Sequence, residues 1–286
     1  MSAARSIEVA PADAGRRLDQ VVARELGVSR GYVRRLLDHG RILLAGQPAR
    51  KGATLRAGDR LELLEFRHPS QGPAANPGLE VQVLREADGL LAVEKPAGTP
   101  THPLDYEERD TLLNGLIARY PALVGVGEGG LLSGVVHRLD VNTSGVQLFA
   151  TEVTAWRAAR RAFARRRAEK LYVARVHGRL ESADTLRLRL ENRGDHTRVV
   201  RDGGREAITH VTPLRQDGAT SLVEARPVTG LRHQIRASLA HLGHPVVGDA
   251  LYGSTTGLDR HLLHACRIRI ADFSATSPLP DEFGAA

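Results

Sequence analysis

Apolar positions in the first 65 residues follow a helical period and then give way to short apolar runs. Residues 17–26 carry apolar side chains at 18, 21, 22 and 26, which is the spacing of an amphipathic helix. Ser29 is a suitable N-cap for a second helix over residues 30–39, and Gly40 would end it. The pattern therefore predicts a small unit that begins with two helices.

Short apolar runs follow these helices. Residues 41–45 predict a strand that turns at 46–48. Leu55, Leu61 and Leu63 predict a second hairpin-like element around the turn at 57–59. The first unit is therefore expected to have a small α/β fold.

A break in the pattern follows at residues 68–78, which contain three prolines, two glycines and almost no large apolar group. Such a composition is typical of a linker. We therefore expect a first domain over residues 1–67, a linker over 68–78 and a second domain over 79–286.

The second domain combines short apolar runs of strand length with a few stretches of helical period. The strand candidates are 79–84, 90–94, 145–150, 170–177, 186–190, 208–214 and 221–227. The helix candidates are 111–120, 154–169 and 232–242. Because strand follows strand without regular crossover helices, the pattern predicts an α+β fold with a mixed, largely antiparallel sheet.

The segment HRLDVNTSG, His137 to Gly145, lies between two strand-like apolar runs, 134–136 and 146–150. A charged, turn-rich bend between strands presents a side chain at the edge of a sheet. Asp140 lies two residues after Arg138, and an acid beside a fixed cation stays ionised, as a nucleophile must. For an arbitrary Arg-x-Asp, however, a surface salt bridge is the commoner role.

Charge and cysteine content narrow the classes of function. The formal net charge is +7, which favours a polyanionic partner. Residues 1–70 hold 13 basic and 8 acidic residues, so most of the excess lies at the N-terminus. The single cysteine, Cys266, excludes an intrachain disulfide and indicates a reducing, cytoplasmic compartment. No signal peptide or membrane span is expected, because neither the N-terminus nor any other stretch has the required apolar run.

The whole string HRLDVNTSG resembles the catalytic signature of the RluA-type pseudouridine synthases, whose aspartate attacks the target uridine, and Asp140 is the matching position. Four further segments resemble this family in the same order: 90–103, 170–178, 227–252 and 261–267. The segment SRGYVRRLLDHGRILLAG resembles the small RNA-binding module named after ribosomal small-subunit protein four. The resemblance thus implies a pseudouridine synthase fold behind a small N-terminal α/β RNA-binding domain.

The resemblance also implies roles for individual residues of the second domain. Asp140 is expected to be the nucleophile, and Arg236, if paired with it, would orient the carboxylate and favour its charged form. Tyr172 would stack on the base and could help to move a proton, although it could also be a packed strand tyrosine. Arg138 and His102 could fill the space that a flipped base vacates, and His102 could equally be a loop histidine without a task.

Arginines of both domains are candidate RNA contacts. In the N-terminal module, Arg30, Arg34 and Arg35 would lie on or beside one helical face as phosphate contacts, and the alternative is a solvated helix face. In the second domain, Leu231 and Arg232 depart from the family pattern, which usually has arginine followed by threonine or a similar residue. We include Arg232 among the RNA contacts, and we expect a contact normally made from position 231 to have moved or been lost.

Pseudouridine formation needs no net electron transfer, so no cofactor is expected. His241 and His244, and His261 and His264, are spaced by three residues, but they lack the partners of a zinc motif, so no metal is expected. The resemblance favours large-subunit ribosomal RNA over transfer RNA as substrate, because family members with such an N-terminal module commonly act on it. A monomer is expected. The alternatives are a transfer RNA pseudouridine synthase, a non-catalytic ribosome-assembly factor that binds RNA, and a metal hydrolase.

Overall fold

The computed structural model describes residues 3–254 and 256–284. The chain divides into two compact units, Met1–Gln71 and Gly72–Ala286, and this division falls within the stretch 68–78 that is rich in proline and glycine. The later part of that stretch is packed onto the second unit. Asn114 donates from its side-chain amide to the Ala74 carbonyl at 2.6 Å, and its own carbonyl accepts the Asn76 N–H at 2.9 Å.

Over its described residues, the first unit contains two α-helices and four strands. The helices are α1 (Leu18–Leu26) and α2 (Arg30–Asp38), and the strands are β1 (Ala3–Glu8), β2 (Ile42–Leu44), β3 (Gln47–Pro48) and β4 (Arg60–Leu64). The strands form one antiparallel sheet in the order β1-β4-β2-β3. Ser29 caps α2 as expected, because its Oγ accepts the Tyr32 N–H at 3.1 Å. The two helices and the first strand predicted for this unit are confirmed.

The second hairpin predicted around residues 57–59 is wrong. Leu61 and Leu63 lie in β4, but β4 pairs with β1 and β2 rather than with the residues around Leu55. The three leucines are instead buried in the core of the unit. Their apolar pattern therefore indicates burial, and it does not predict which strand pairs with β4.

The second unit contains three α-helices and ten strands within the described residues. The helices are α3 (Leu112–Arg119), α4 (Val153–Ala164) and α5 (Gln234–His241). The strands are β5 (Val83–Ala87), β6 (Leu90–Lys95), β7 (Ser144–Ala150), β8 (Glu169–His177), β9 (Asp184–Arg193), β10 (His196–Val200), β11 (Arg205–Asp217), β12 (Thr220–Pro227), β13 (Leu263–Ile270) and β14 (Phe273–Thr276).

These ten strands form one sheet in the order β10-β9-β11-β12-β8-β13-β7-β6-β5, with β14 pairing to β13. Strand β13 lies at the centre, parallel to β7 and antiparallel to β8. Among the described strands, β7 and β13 form the one parallel pair of this sheet. The predicted α+β class with a mixed, largely antiparallel sheet is therefore confirmed.

Both faces of the sheet are covered where β6 and β7 lie. Leu148 belongs to a core cluster that includes Ala159 of α4, whereas the next residue, Phe149, packs in a cluster with Leu112 of α3. All seven residues of β7 are consequently buried. Burial on both faces explains why this strand has a nearly continuous apolar run instead of an alternating one. Ser144, at the start of the strand, and Gln147, in its middle, are the polar exceptions.

Several predicted boundaries in the second unit are wrong for local reasons. The helix expected over 154–169 ends at Ala164, because Arg166 has a left-handed backbone (φ +59°) and Glu169 begins β8. The helix expected over 232–242 begins at Gln234, after His233 with φ +51°. Of the strand expected over 79–84, only the last two residues are in β5, because the earlier ones pack against α3.

The apolar run at 134–136 is not a strand, although the sequence pattern suggested one. A single bridge joins Val135 to Phe149. The carbonyls of Val135 and Val136 instead accept hydrogen bonds from Trp156 and Arg160 of α4, at 2.9 and 3.0 Å. Strands β1, β3, β10, β13 and β14 were not predicted, and the residues of β3 were expected to form a turn.

Candidate active site

Asp140 lies in the tight turn that leads into β7. The Thr143 N–H donates to the Asp140 carbonyl at 3.0 Å and closes this turn. Upstream of Asp140, buried Gln147 accepts the Leu139 N–H at 3.2 Å and donates to the His137 carbonyl at 2.7 Å. A buried polar residue in the middle of β7 therefore fixes the backbone just before Asp140.

Lys95, the last residue of β6, holds the other side of the turn. Its fully buried ammonium donates to the carbonyls of Pro96, Val141 and Thr143, at 3.0, 2.7 and 2.8 Å. Burial lowers the pKa of Lys95 to about 7, against the charge of nearby Asp140, which raises it. Lys95 is therefore committed to the backbone of the turn, and its three donors have no capacity left for a substrate.

Gly145 allows this turn to approach β13. Its φ is +108°, and a Cβ atom placed there would lie 2.3 Å from the Ala265 carbonyl oxygen. A side chain is excluded both by the backbone conformation and by this contact. The glycine at the end of HRLDVNTSG is therefore required for the parallel pairing that positions the Asp140 turn.

Arg236 of α5 binds Asp140 and anchors it to a second carboxylate. Its Nη1 donates to Oδ2 of Asp140 at 2.9 Å, while Nε and Nη2 donate to the two oxygens of Asp249 at 2.6 and 2.8 Å. Burial opposes the charge of Arg236, but the hydrogen bonds and charges of both carboxylates outweigh it and raise the pKa of Arg236. The guanidinium is therefore a fixed cation.

The two oxygens of Asp140 have different surroundings. Oδ2 faces Arg236, whereas Oδ1 accepts no hydrogen bond from the described residues. The side chain is 25% exposed, in contrast to the 1% of Asp249. The structure thus brings Asp140 and Arg236 together, and it leaves one oxygen of a partly exposed carboxylate without a hydrogen-bond partner among the described residues.

Tyr172 lies on β8, between Ala225 of β12 and Ala265 of β13. Its ring packs on the core cluster that includes Ile235 of α5, and its hydroxyl makes no hydrogen bond with the described residues. Burial and the charge of Asp140 both raise the pKa of Tyr172. The phenol therefore keeps its proton at neutral pH and faces the same site as Asp140.

His102 and Arg138 are close enough for the charge of Arg138 to act on the His102 ring. His102 is 8% exposed, and its Nδ1 is buried without a hydrogen-bond partner among the described residues. Burial, reinforced by the positive charge of Arg138, lowers the pKa of His102 to about 4, so the ring is neutral at pH 7. Arg138 is exposed and makes no hydrogen bond or ion pair within the described part of the chain. Its charge is available to an external anion.

Arg232 forms hydrogen bonds with the backbone of the second unit. Its Nη1 and Nη2 donate to the carbonyls of Gly194 and Asp195, at 2.8 and 3.0 Å, in the turn between β9 and β10. Arg232 thus holds that turn with two of its five N–H donors, its side chain is 39% exposed, and its contact with RNA stays a prediction.

In the first unit, buried Asp19 organises the basic side chains of α2. Arg30 donates to Asp19 at 2.9 and 3.2 Å, and Arg34 lies 3.9 Å from the same carboxylate. Hydrogen bonds from Arg17 and Arg30 lower the pKa of Asp19 to about 2, although burial opposes this shift. Arg35 is exposed on the outer face of the helix. Two of the three predicted phosphate contacts are therefore held in place by an internal carboxylate.

The sequence interpretation missed four residues that build the site: Lys95, Gln147, Asp249 and Tyr252, whose ring centroid lies 5.1 Å from the Arg236 guanidinium. All of them lie within or next to the segments that carry the family resemblance. The available signal was the isolated polar residue in an apolar run, as in LLAVEK, GVQLFA and VVGDAL. A buried polar residue needs a partner, and here the partners are the backbone and charges of the site.

The described ranges, 3–254 and 256–284, contain no group of three histidine, cysteine or acidic side chains that could hold a metal ion. They contain no helix that is long and apolar enough to cross a membrane.

Comparison with known proteins identifies both units. A family model described as RNA pseudouridylate synthase matches residues 89–241, and the model of the S4 domain matches residues 16–61. The first match covers the Asp140 turn, Tyr172 and Arg236, and ends with α5. The second covers both helices of the first unit and extends into β4.

Relatives match over nearly the whole chain. The "Ribosomal large subunit pseudouridine synthase D" of Xanthomonas campestris pv. campestris is 36% identical over 262 residues, which are 91% of this chain and 78% of that protein. An uncharacterized RNA pseudouridine synthase of Mycobacterium bovis is 36% identical over 93% of this chain and 90% of its own length. Among solved structures, human RNA pseudouridylate synthase domain containing 1 is 27% identical and covers 70% of this chain and 83% of its own, with a TM-score of 0.57.

Proposed function

The chain belongs to the RNA pseudouridylate synthase family, and from this premise we propose that it isomerises uridine in large-subunit ribosomal RNA with Asp140 as nucleophile and without a cofactor. The observation that carries the proposal is the asymmetry of the Asp140 carboxylate. Arg236 fixes Oδ2 at 2.9 Å, and Oδ1 is open to a substrate. A nucleophile that attacks a sugar or base carbon must be charged and oriented, and its reacting oxygen must not be occupied by hydrogen bonds.

The reaction is balanced within the nucleotide. The N1–C1′ bond breaks, the uracil turns, and C5 bonds to C1′ while the C5 hydrogen is lost and N1 gains a proton. No electron is gained or lost, so no redox cofactor is required. Asp140 attacks the sugar or the base, or stabilises the sugar as positive charge develops on it, and Arg236 holds the carboxylate in place in each of these routes.

Neighbouring side chains support the remaining steps. Tyr172 offers its ring face to the base, and its protonated hydroxyl is a hydrogen-bond donor. Arg138 is exposed and carries a charge that no described residue neutralises, so it can grip the strand from which the base is displaced. His102 lies beside it as a neutral ring with one unpartnered nitrogen, suited to a nucleotide hydrogen bond.

Large-subunit ribosomal RNA is the proposed substrate for two reasons. Relatives from Xanthomonas campestris and Pseudomonas aeruginosa are named ribosomal large subunit pseudouridine synthase D. The S4 domain adds a basic unit, in which Arg30, Arg34 and Arg35 are the proposed phosphate contacts, and a second anchor raises the effective concentration at an extended target. Such a substrate would place the protein in the cytoplasm.

Asp140→Asn tests the nucleophile. The amide retains size and polarity but carries no negative charge, so tritium release from RNA labelled at uridine C5 should be abolished while RNA affinity is retained. Asp272→Asn is the matched control, because Asp272 is an exposed aspartate in the turn between β13 and β14 and should leave the rate unchanged. Substantial tritium release by the Asp140 variant would refute the assignment.

The substrate is tested by competition. Purified protein receives equal amounts of unmodified ribosomal and transfer RNA transcripts, and pseudouridine should accumulate in the ribosomal transcript. A chain without residues 1–71 should lose affinity for it and show a flatter dependence of affinity on salt, since fewer counterions are released. Stoichiometric conversion of transfer RNA alone would contradict the substrate and leave the enzyme class intact.

A further inference from the structure

His233 approaches Asp140 from a strained backbone position. It immediately precedes α5 and has φ +51°, a left-handed conformation that is uncommon outside glycine, asparagine, aspartate and histidine. Its side chain is 11% exposed, and Nε2 lies 3.9 Å from Oδ2 of Asp140. A strained residue beside a reactive group is a reason to look for a role.

The other ring nitrogen of His233 is held by Tyr252. Nδ1 lies 3.0 Å from the Tyr252 hydroxyl, which also accepts the backbone N–H of Thr197 in β10 at 2.8 Å. The two rings meet edge to face, with centroids 5.8 Å apart. The Tyr252 ring also lies under the guanidinium of Arg236, 5.1 Å from its centroid. Tyr252 therefore contacts both residues that face Oδ2 of Asp140.

The hydroxyl proton decides the tautomer of His233. Tyr252 has one proton to donate, and its candidate acceptors are Nδ1 of His233 and the Thr197 carbonyl at 3.2 Å. If it donated to the carbonyl, Nδ1 would carry the imidazole proton, and the lone pair of Nε2 would face the Asp140 carboxylate. Donation to Nδ1 instead places an N–H on Nε2, facing a negative oxygen, and is favoured electrostatically.

His233 is also kept neutral. Burial lowers its pKa, and although Asp140 and Asp249 oppose this shift, the charges of Arg236 and Arg232 reinforce it. A neutral donor can orient a carboxylate without adding a second cation that would quench its nucleophilicity.

We propose that His233 is a positioning residue, whose Nε2–H, oriented by Tyr252, shares Oδ2 of Asp140 with Arg236 and thereby leaves Oδ1 as the reacting oxygen. The separation of 3.9 Å is longer than a hydrogen bond, so the N–H acts on the carboxylate electrostatically. The inference rests on the proposed role of Asp140.

Two amide substitutions separate positioning from packing. In His233→Gln the amide nitrogen reaches the place of Nε2, whereas in His233→Asn it occupies the place of Nδ1. The backbone favours the opposite order, because asparagine tolerates a left-handed conformation better than glutamine does. We therefore expect the Asn variant to have the higher Tm and the Gln variant the higher kcat.

The kinetic measurement is tritium release under saturating RNA. The Gln variant should keep kcat within about threefold of the unmodified protein, and the Asn and Ala variants should lose about 10- to 100-fold, the range that a misplaced reacting group costs. KM should change by less than about twofold, because His233 acts on the nucleophile and not on RNA binding. Rates that follow the order of Tm instead would overturn the proposal.

Tyr252→Phe tests the orienting contact, since it keeps the ring under Arg236 and removes only the hydroxyl. It should lower kcat when His233 is present and have no further effect in the His233→Ala background, because the two residues act as a unit. Equal effects in both backgrounds would overturn the link. If Asp140→Asn is inactive while every His233 variant has the unmodified kcat, this inference fails alone. An active Asp140→Asn protein would overturn the proposed nucleophile first.

Discussion

Replacement of Asp249 by asparagine should destabilise the second unit more than replacement of Asp140 does. Asp249 and Arg236 are 2% and 6% exposed and share two hydrogen bonds of 2.6 and 2.8 Å. Removal of one partner of a buried ion pair costs about 3–5 kcal/mol, and the lower end applies here because Arg236 keeps Asp140 as a partner. Asp140 is the more exposed carboxylate, so its loss should cost at most about 1 kcal/mol.

Urea unfolding can measure this difference. Trp156, the single tryptophan, lies in α4 and donates to the Val135 carbonyl, so its fluorescence reports the second unit. For an unfolding slope of about 3 kcal/mol per M, a loss of about 3 kcal/mol moves the midpoint of Asp249→Asn down by about 1 M. The midpoint of Asp140→Asn should move by less than about 0.4 M on the same scale. Equal midpoints for the two variants would refute Asp249 as the anchor of Arg236.

Two further predictions follow from packing and burial. Gly145→Ala should lower the free energy of unfolding by several kcal/mol, because the new Cβ would lie 2.3 Å from the Ala265 carbonyl oxygen. Gly218 is the control: it also has a positive φ but has open space around it, so Gly218→Ala should lower the free energy of unfolding by only about 1–2 kcal/mol. Equal urea midpoints for the two variants would contradict the steric argument. Burial lowers the pKa of His137 and His261 to about 3, below the unfolded value of about 6.5, so the unfolded chain binds protons first as the pH falls. The stabilisation from each of these histidines is therefore fully present above pH 7, and the free energy of unfolding should fall by about 1.4 kcal/mol per pH unit for each of them between pH 6 and 4. A urea midpoint that is unchanged between pH 7.5 and 5.5 would contradict this.

The sequence predicted the parts of the fold that local patterns encode. The first two helices, the run of β7 and the pairing of Asp140 with Arg236 followed from helical period, strand composition and an ordered set of motifs. Each depends on residues that are close in sequence or on a family resemblance that places distant residues together.

The errors lie where tertiary contacts override the local pattern. The run 134–136 is apolar enough for a strand, but two of its carbonyls accept hydrogen bonds from side chains of α4 instead of from a neighbouring strand. The segment 261–267 overlaps β13 and resembles the family, but it does not predict a strand, because alternating apolar and basic residues cover only part of the length of β13. His233 could not be found by pattern at all, since its importance comes from a distance of 3.9 Å to a residue 93 positions earlier.

The central position of β13 makes the order of synthesis matter for this protein. A nascent chain that has reached residue 262 already contains Asp140, Tyr172 and Arg236, but strands β7 and β8 then have no neighbour between them. The sheet would exist as two halves, β5 to β7 and β8 to β12, each with an unpaired edge open to other chains. The site therefore closes only when a late segment inserts between two early ones. An interruption of translation before this strand would yield a chain that has every reactive residue but no sheet to hold them together.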